Sequence, residues 1–167
     1  MTVVIDGTTG IDAVQNGTVT QADLAANVAG NGPAFSAYQS AGTTTATATF
    51  TKLAFQTEEF DTANCYDNTT NYRFTPNVAG YYQVNGCVQA GLSTQLISIY
   101  KNGSEYRRGN QSGAGGYNVQ TLVSALVYLN GTTDYIELYW YQASGVSQTS
   151  TAVSNGTYFQ AVMVRGA

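Results

Sequence analysis

The sequence predicts an all-β fold, a jelly-roll β-sandwich preceded by a short extended and helical segment. Three observations predict it. Only 10 % of the 167 residues are charged, and Thr, Ser, Asn, Gln and Gly carry the polar load instead. Thr, Tyr and Val suit strands, whereas Gly and Asn suit tight turns. Short runs with strand character recur along most of the chain, with Asn-Gly pairs at Asn102, Asn130 and Asn155 between them; that spacing belongs to sandwiches and jelly rolls. Finally, the chain offers one helix candidate, Gln21 to Val28.

In chain order, residues 1–10 read as a short strand and a turn, and residues 11–19 as a second extended piece ending at Asn16-Gly17. Thr20 is placed to cap the helix candidate, with Asp23 three residues on and Leu24 and Val28 on one face. Gly30 and Gly32 end it. Eight residues do not hold a helix alone in water, so this stretch must pack on something. Residues 1–31 are therefore read as an attachment segment, with Val3, Ile5, Ile11, Leu24 and Val28 as its contact residues and a frayed leader as the alternative, and residues 32–167 as the jelly-roll domain. The expected strands of that domain are Ala34–Tyr38, Thr45–Phe50, Leu53–Phe55, Tyr81–Ala90, Leu96–Tyr100, Val119–Leu129, Tyr135–Gln142 and Thr157–Arg165.

The stretch Tyr72 to Gln89, YRFTPNVAGYYQVNGCVQ, organises the rest. Pro76 cannot donate a ladder hydrogen bond and belongs at a strand start or in a turn. Gly80 suits a bulge or a close backbone approach. Beyond it, Tyr82, Val84, Gly86 and Val88 fall on one face, and Tyr81, Gln83, Asn85 and Cys87 on the other. The spacing of Phe74, Gly80, Tyr82 and Val84, with Phe55, Asp61 and Tyr66 upstream, resembles the signature of the globular head of complement component one-q, a family grouped with the tumour-necrosis-factor-like jelly rolls. Gly32-Pro33-Ala34-Phe35, Lys101-Asn102-Gly103 and the closing Tyr158-Phe159 also look like that family. The chain departs from the pattern at Val84, where Phe is usual, at Gly86, where Phe or Tyr is usual, and in one extra residue between Tyr66 and Phe74.

Two expected strands, TLVSALVYL at 121–129 and TYFQAVMV at 157–164, are apolar on both faces. A strand in a lone sandwich alternates apolar with polar, so a second surface must cover them, or they are central strands of a monomer. The resemblance implies a homotrimer about a three-fold axis, with Ala34–Tyr38, Tyr81–Ala90, Leu122–Leu129 and Tyr158–Val164 forming the sheet at the interface. The interface candidates are Tyr81, Gln83, Asn85, Val123, Val127, Tyr158 and Phe159.

The sequence excludes much chemistry. It contains no His, which removes Ser-His-Asp and Cys-His catalysis and every His-containing metal site. Phosphate-binding glycine loops are absent, since Gly113-Ala114-Gly115-Gly116 leads into a strand. Cys65 and Cys87 read as free, buried thiols, with a pairing between them as the alternative. Glu58, Glu59 and Asp61 form the densest acid cluster, read as a solvated loop between strands, with a calcium site as the alternative; no other cofactor is expected. With a net charge of −4 and Arg107-Arg108 as the one paired base, a nucleic-acid partner is not expected. No apolar run is long enough to cross a membrane. Tyr139 and Tyr141, with Tyr106, Arg107, Arg108 and Tyr117, are the candidates for ligand contact, the alternative for the two tyrosines being that they cover the core edge or a neighbouring subunit.

The opening residues also look like the leaders of small tailed-phage surface proteins that carry this domain. The resemblance therefore implies a non-enzymatic virion structural protein, made in the host cytoplasm and placed on the virion surface. Two jobs compete: a capsid decoration or cement protein, docked through its N-terminal segment on a major capsid, fibre or tail protein, and a tail-fibre tip binding a host cell-surface glycan or protein through loops such as Glu105–Tyr117 or Gln142–Val153. The initial Met and the lack of shaft repeats favour the first. A secreted lectin-like binding module is the reading outside that class.

Overall fold

The computed structural model describes residues 23–91, 94–113, 116 and 118–167. The strands are β1 (Ala34–Tyr38), β2 (Thr44–Thr45), β3 (Thr49–Lys52), β4 (Thr57–Asp61), β5 (Tyr66–Asp67), β6 (Arg73–Phe74), β7 (Ala79–Ala90), β8 (Gln95–Lys101), β9 (Ser104–Ser112), β10 (Val119–Asn130), β11 (Ile136–Gln142), β12 (Gln148–Thr149) and β13 (Tyr158–Gly166). One sheet has the order β10-β7-β13-β1-β4. The other runs β5-β6-β11-β8-β9, with β3 also paired to β11, and β12 pairs with β2 in a small ribbon. Every pairing is antiparallel. The all-β jelly-roll expectation holds.

The two large sheets face each other across one core. Tyr82, Val84 and Val88 of β7 point inward, as the period-two reading requires. Between them, a Cβ on Gly86 would overlap Leu138 of the opposite sheet. The Leu138 side chain occupies the space beside Gly86, where the sequence pattern that the chain resembles has an aromatic. A Cβ on Gly80 would lie 2.5 Å from the Arg165 carbonyl, the close approach expected of that glycine.

Phe35 is the hub of an aromatic cluster. Its ring stacks on Tyr66 and Phe74, both at 4.6 Å, and meets Phe159 edge-on at 4.9 Å. Phe55 packs on Phe159, and Phe74 on Tyr82. The aromatic residues that carry the sequence resemblance thus converge in space. Asp61 owes its place to the backbone: its carboxylate accepts the N–H of Tyr66 at 2.7 Å and that of Ala63 at 3.2 Å. The extra residue before Phe74 falls in a turn closed on Asp67, whose carboxylate accepts N–H groups of Thr69, Thr70 and Asn71; Tyr72 follows at a φ of 50°.

Several expectations need correction. The described part of the helix candidate, from Asp23 on, is a run of bends and turns rather than an α-helix, with Val28 N–H bonded to the Ala25 carbonyl and Asn31 Nδ2 to the Leu24 carbonyl. Its few residues and the flanking glycines do not sustain helical propagation, and the remainder lies outside the described residues. Thr45–Phe50 is split into β2 and β3 by Ala48 at a φ of 56°. Leu53–Phe55 is not a strand; Leu53 N–H bonds to the Leu138 carbonyl, and the chain becomes a strand again at Thr57. The acidic stretch 57–61 is β4 rather than a loop, and residues 104–112 are β9 rather than part of a loop. Of the Asn-Gly pairs at Asn102, Asn130 and Asn155, Asn102-Gly103, with φ of 52° and 78°, makes a tight hairpin. Asn130-Gly131 connects the two sheets instead, its Asn130 Oδ1 accepting N–H groups of Thr132, Thr133 and Asp134.

Candidate functional site

The strand β10 is apolar on both faces, and the structure divides those faces cleanly. Val123, Val127 and Leu129 are in the core, while Leu122, Leu126 and Tyr128 are 48 %, 52 % and 41 % exposed on the outer face of the five-stranded sheet. The registers of β7, β13, β1 and β4 extend that face in three cross-strand rows. Leu126, Gln83, Val162 and Ala34 form the first. Ser124, Asn85, Gln160, Ser36 and Phe60 form the second, and Leu122, Cys87, Tyr158, Tyr38 and Thr57 the third. Tyr128 and Tyr81 pair at the end nearest Gly80, with ring centroids 5.4 Å apart.

Of the ten large hydrophobic side chains exposed among the described residues, six lie on this face: Phe60, Tyr81, Leu122, Leu126, Tyr128 and Val162. Val164, at the bulge of β13, is a seventh beside them. Fully burying a side chain of this size contributes about 1.5–3 kcal/mol, so a single copy leaves a large share of its possible burial unrealised. Concentration of exposed apolar groups in one patch, rather than scatter, marks an interaction surface.

The middle of the face is polar. Gln83 Nε2 donates to Ser124 Oγ at 2.8 Å, and Ser124 Oγ donates to Asn85 Oδ1 at 2.8 Å. No charge lies in the three rows. Ser36, next along the middle row, donates to Glu59 Oε2 at 2.7 Å. Burial pushes the Cys87 thiol up to about 11, and burial next to that thiol raises Tyr158 above the usual phenol range. A raised thiol and a raised phenol are the opposite of activated nucleophiles. The face can pack and hydrogen-bond.

Among the interface candidates, Tyr81, Gln83, Asn85 and Tyr158 are on the outer face. Val123, Val127 and Phe159 are not: at 3 %, 0 % and 0 % exposure they fill the core. Where both parities are apolar, the strand pattern holds no signal for which one turns inward. Leu122, Leu126, Tyr128, Val162 and Phe60 are the exposed residues of this face that the sequence pattern does not single out, although the doubly apolar runs contain four of them.

The ligand-contact candidates separate into two places. Tyr106 and Arg107 lie on β9 at the β10 edge, where the Tyr106 hydroxyl donates to the Leu126 carbonyl and Arg107 sits 4.5 Å over the Tyr106 ring. Arg108, Tyr139 and Tyr141 belong to the outer face of the opposite sheet. Tyr117 is outside the described residues, as are Val3, Ile5 and Ile11; Leu24 and Val28 are exposed. Cys65 and Cys87 are free and buried, as expected. Among the described residues no three Asp, Glu or Cys side chains gather in a metal-binding group, and in the acidic stretch Glu59 and Asp61 are already engaged by Ser36, Ala63 and Tyr66.

No protein-family model matches the chain, and no curated protein matches it in sequence. Solved structures do match in fold. The Eiger TNF of S. frugiperda superposes with a TM-score of 0.62 at 10 % identity, over 80 % of this chain and 93 % of that one. The globular domain of zebrafish complement 1qA gives 0.54 at 15 %, over 81 % and 99 %. The PRD1 vertex protein P5 gives 0.58 at 12 %, over 79 % and 96 %. The fold is the jelly roll of the tumour-necrosis-factor and complement-one-q type.

Proposed function

We propose that this jelly roll is a non-enzymatic, self-associating structural module: a homotrimer on a virion surface, acting as a capsid decoration protein. The observation that carries the reading is the outer face of the five-stranded sheet, where Leu122, Leu126, Tyr128, Tyr81, Val162 and Phe60 are exposed together around an uncharged polar centre. A second and third copy of the chain bring the same apolar groups to an axis and cover them, and closed symmetry keeps the assembly finite. The fold shared with a phage vertex protein supports the virion assignment. Residues 1–31 are the part assigned to docking on the shell.

A fibre tip that binds host cells is the second reading. It is favoured by the aromatic outer face of the opposite sheet, which trimerisation through the first sheet leaves open.

A partition experiment separates the two. Fluorescently labelled protein is mixed with virion shells lacking it and, separately, with host cells. Decoration requires binding to shells, lost on deletion of residues 1–31 while the β domain stays folded and trimeric. Binding to cells alone would replace the decoration reading with the adhesin. A solution mass of 17.7 kDa rather than about three times that would remove the trimer.

A further inference from the structure

The six-stranded sheet carries a cleft on its outer face that the self-association of the other sheet does not use. The cross-strand registers set Phe50, Tyr141, Leu96 and Gln111 in one row and Lys52, Tyr139, Ser98 and Arg108 in the next. Phe50 packs on Tyr141 at 5.1 Å between ring centroids, and Tyr100 stacks on Tyr139 at 3.9 Å. These rings hold each other in place, so the surface is set before any ligand arrives. At its end is a cleft of about 380 Å³. Phe50, Leu96, Tyr141 and Ala143 supply its apolar lining, and Thr94, Gln111 and Arg108 its polar lining.

The geometry points to one residue of a neutral glycan, a hexopyranose, as the occupant. The charge arrangement decides this. Arg108 is forked onto Glu105, with Nε to Oε1 at 2.9 Å and Nη2 to Oε2 at 2.8 Å, and Ser98 Oγ donates to the same Oε1 at 2.7 Å. The guanidinium is thereby neutralised and locked, 5.8 Å from the Phe50 ring centroid. An anionic ligand gains little from an already paired arginine and meets Glu105, and a cation meets Arg108. An apolar side chain from a peptide would cover Arg108 Nη1 and the Gln111 amide without giving them partners, which costs more than it gains. A pyranose ring satisfies both halves: its C–H face lies on Phe50 and Tyr141, and its hydroxyls accept from Arg108 Nη1 and pair with Gln111. All of these residues belong to one chain, so the cleft does not depend on the oligomeric state.

The test is ligand-observed saturation-transfer NMR on the whole protein. The probes are the methyl glycosides of glucose, galactose, mannose and N-acetylglucosamine, together with dextran, galactan and mannan. At least one glycoside should receive saturation, strongest at its ring C–H protons. Transfer to the glycoside alone assigns a terminal residue, and transfer to the matching polysaccharide as well assigns an internal one. Arg108→Gln, a surface change, should weaken binding about tenfold or more, and Tyr141→Ser likewise. Silence from every probe, or an Arg108→Gln protein that binds as well as the parent, overturns the proposal. A monomeric mass in solution would sink the trimer and leave this cleft intact.

Discussion

Gly86 and Leu138 touch across the sandwich: the glycine of β7 lies under the Leu138 side chain of β11 so closely that a Cβ would overlap it. This contact sets the spacing between the sheets at the centre of the core, beneath the polar middle of the outer face.

Gly86→Ala is therefore expected to overpack the core and lower stability by about 1–3 kcal/mol. Adding Leu138→Ala should return part of that loss, because the two changes share one space. Urea unfolding of the four proteins of this cycle measures the coupling; strict additivity would contradict the contact.

Outer and inner residues of the same strands should behave differently. Leu126→Lys places a charge in the exposed apolar face and should reduce the mass measured by light scattering to the 17.7 kDa of one chain, with little change in the fold seen by circular dichroism. Phe159→Ala opens a hole in the aromatic cluster and should cost about 3–5 kcal/mol without changing the mass of the folded protein. A Leu126→Lys protein of unchanged mass would show that the face is not the interface.

Acid should weaken the protein partly through Asp67. Hydrogen bonds, first from the Thr70 N–H and also from Thr69 and Asn71, hold its carboxyl well below the usual range. The unfolded chain then binds more protons in acid than the folded one, so stability falls as pH falls. The contribution is full above about pH 4, the ordinary Asp value, and is lost as pH drops toward the depressed folded value. Asp67→Asn should be less stable at neutral pH and show a flatter decline below about pH 4. An unchanged acid slope in chemical-denaturation curves would refute this.

The thiols should be silent until the chain unfolds. Cys87 is buried and its thiol is pushed up to about 11, and burial raises Cys65 as well. At mildly alkaline pH a thiol-specific disulfide reagent should label neither in the native protein and both in denaturant. Rapid labelling of native Cys87 would mean that the outer face opens far more than this packing allows.

The sequence by itself determined the fold class, the alternation along β7, and the aromatic positions Phe55, Tyr66, Phe74 and Tyr82 that meet in the core. These depend on short-range physics: period two, turn chemistry, and the lack of any residue set suited to His-based catalysis. Other features had no local signal. β4 is a polar strand, formed because β1, well back along the chain, offers it a hydrogen-bonding edge. In β10 both parities are apolar, and only the packing of the second sheet decided that Val123 and Val127 go in while Leu122 and Leu126 stay out. The aromatic cleft draws Phe50, Tyr141, Leu96 and Arg108 from four strands. Proximity of that kind is set by strand register, a tertiary property, because side chains distant in sequence become neighbours only when the ladders between them form.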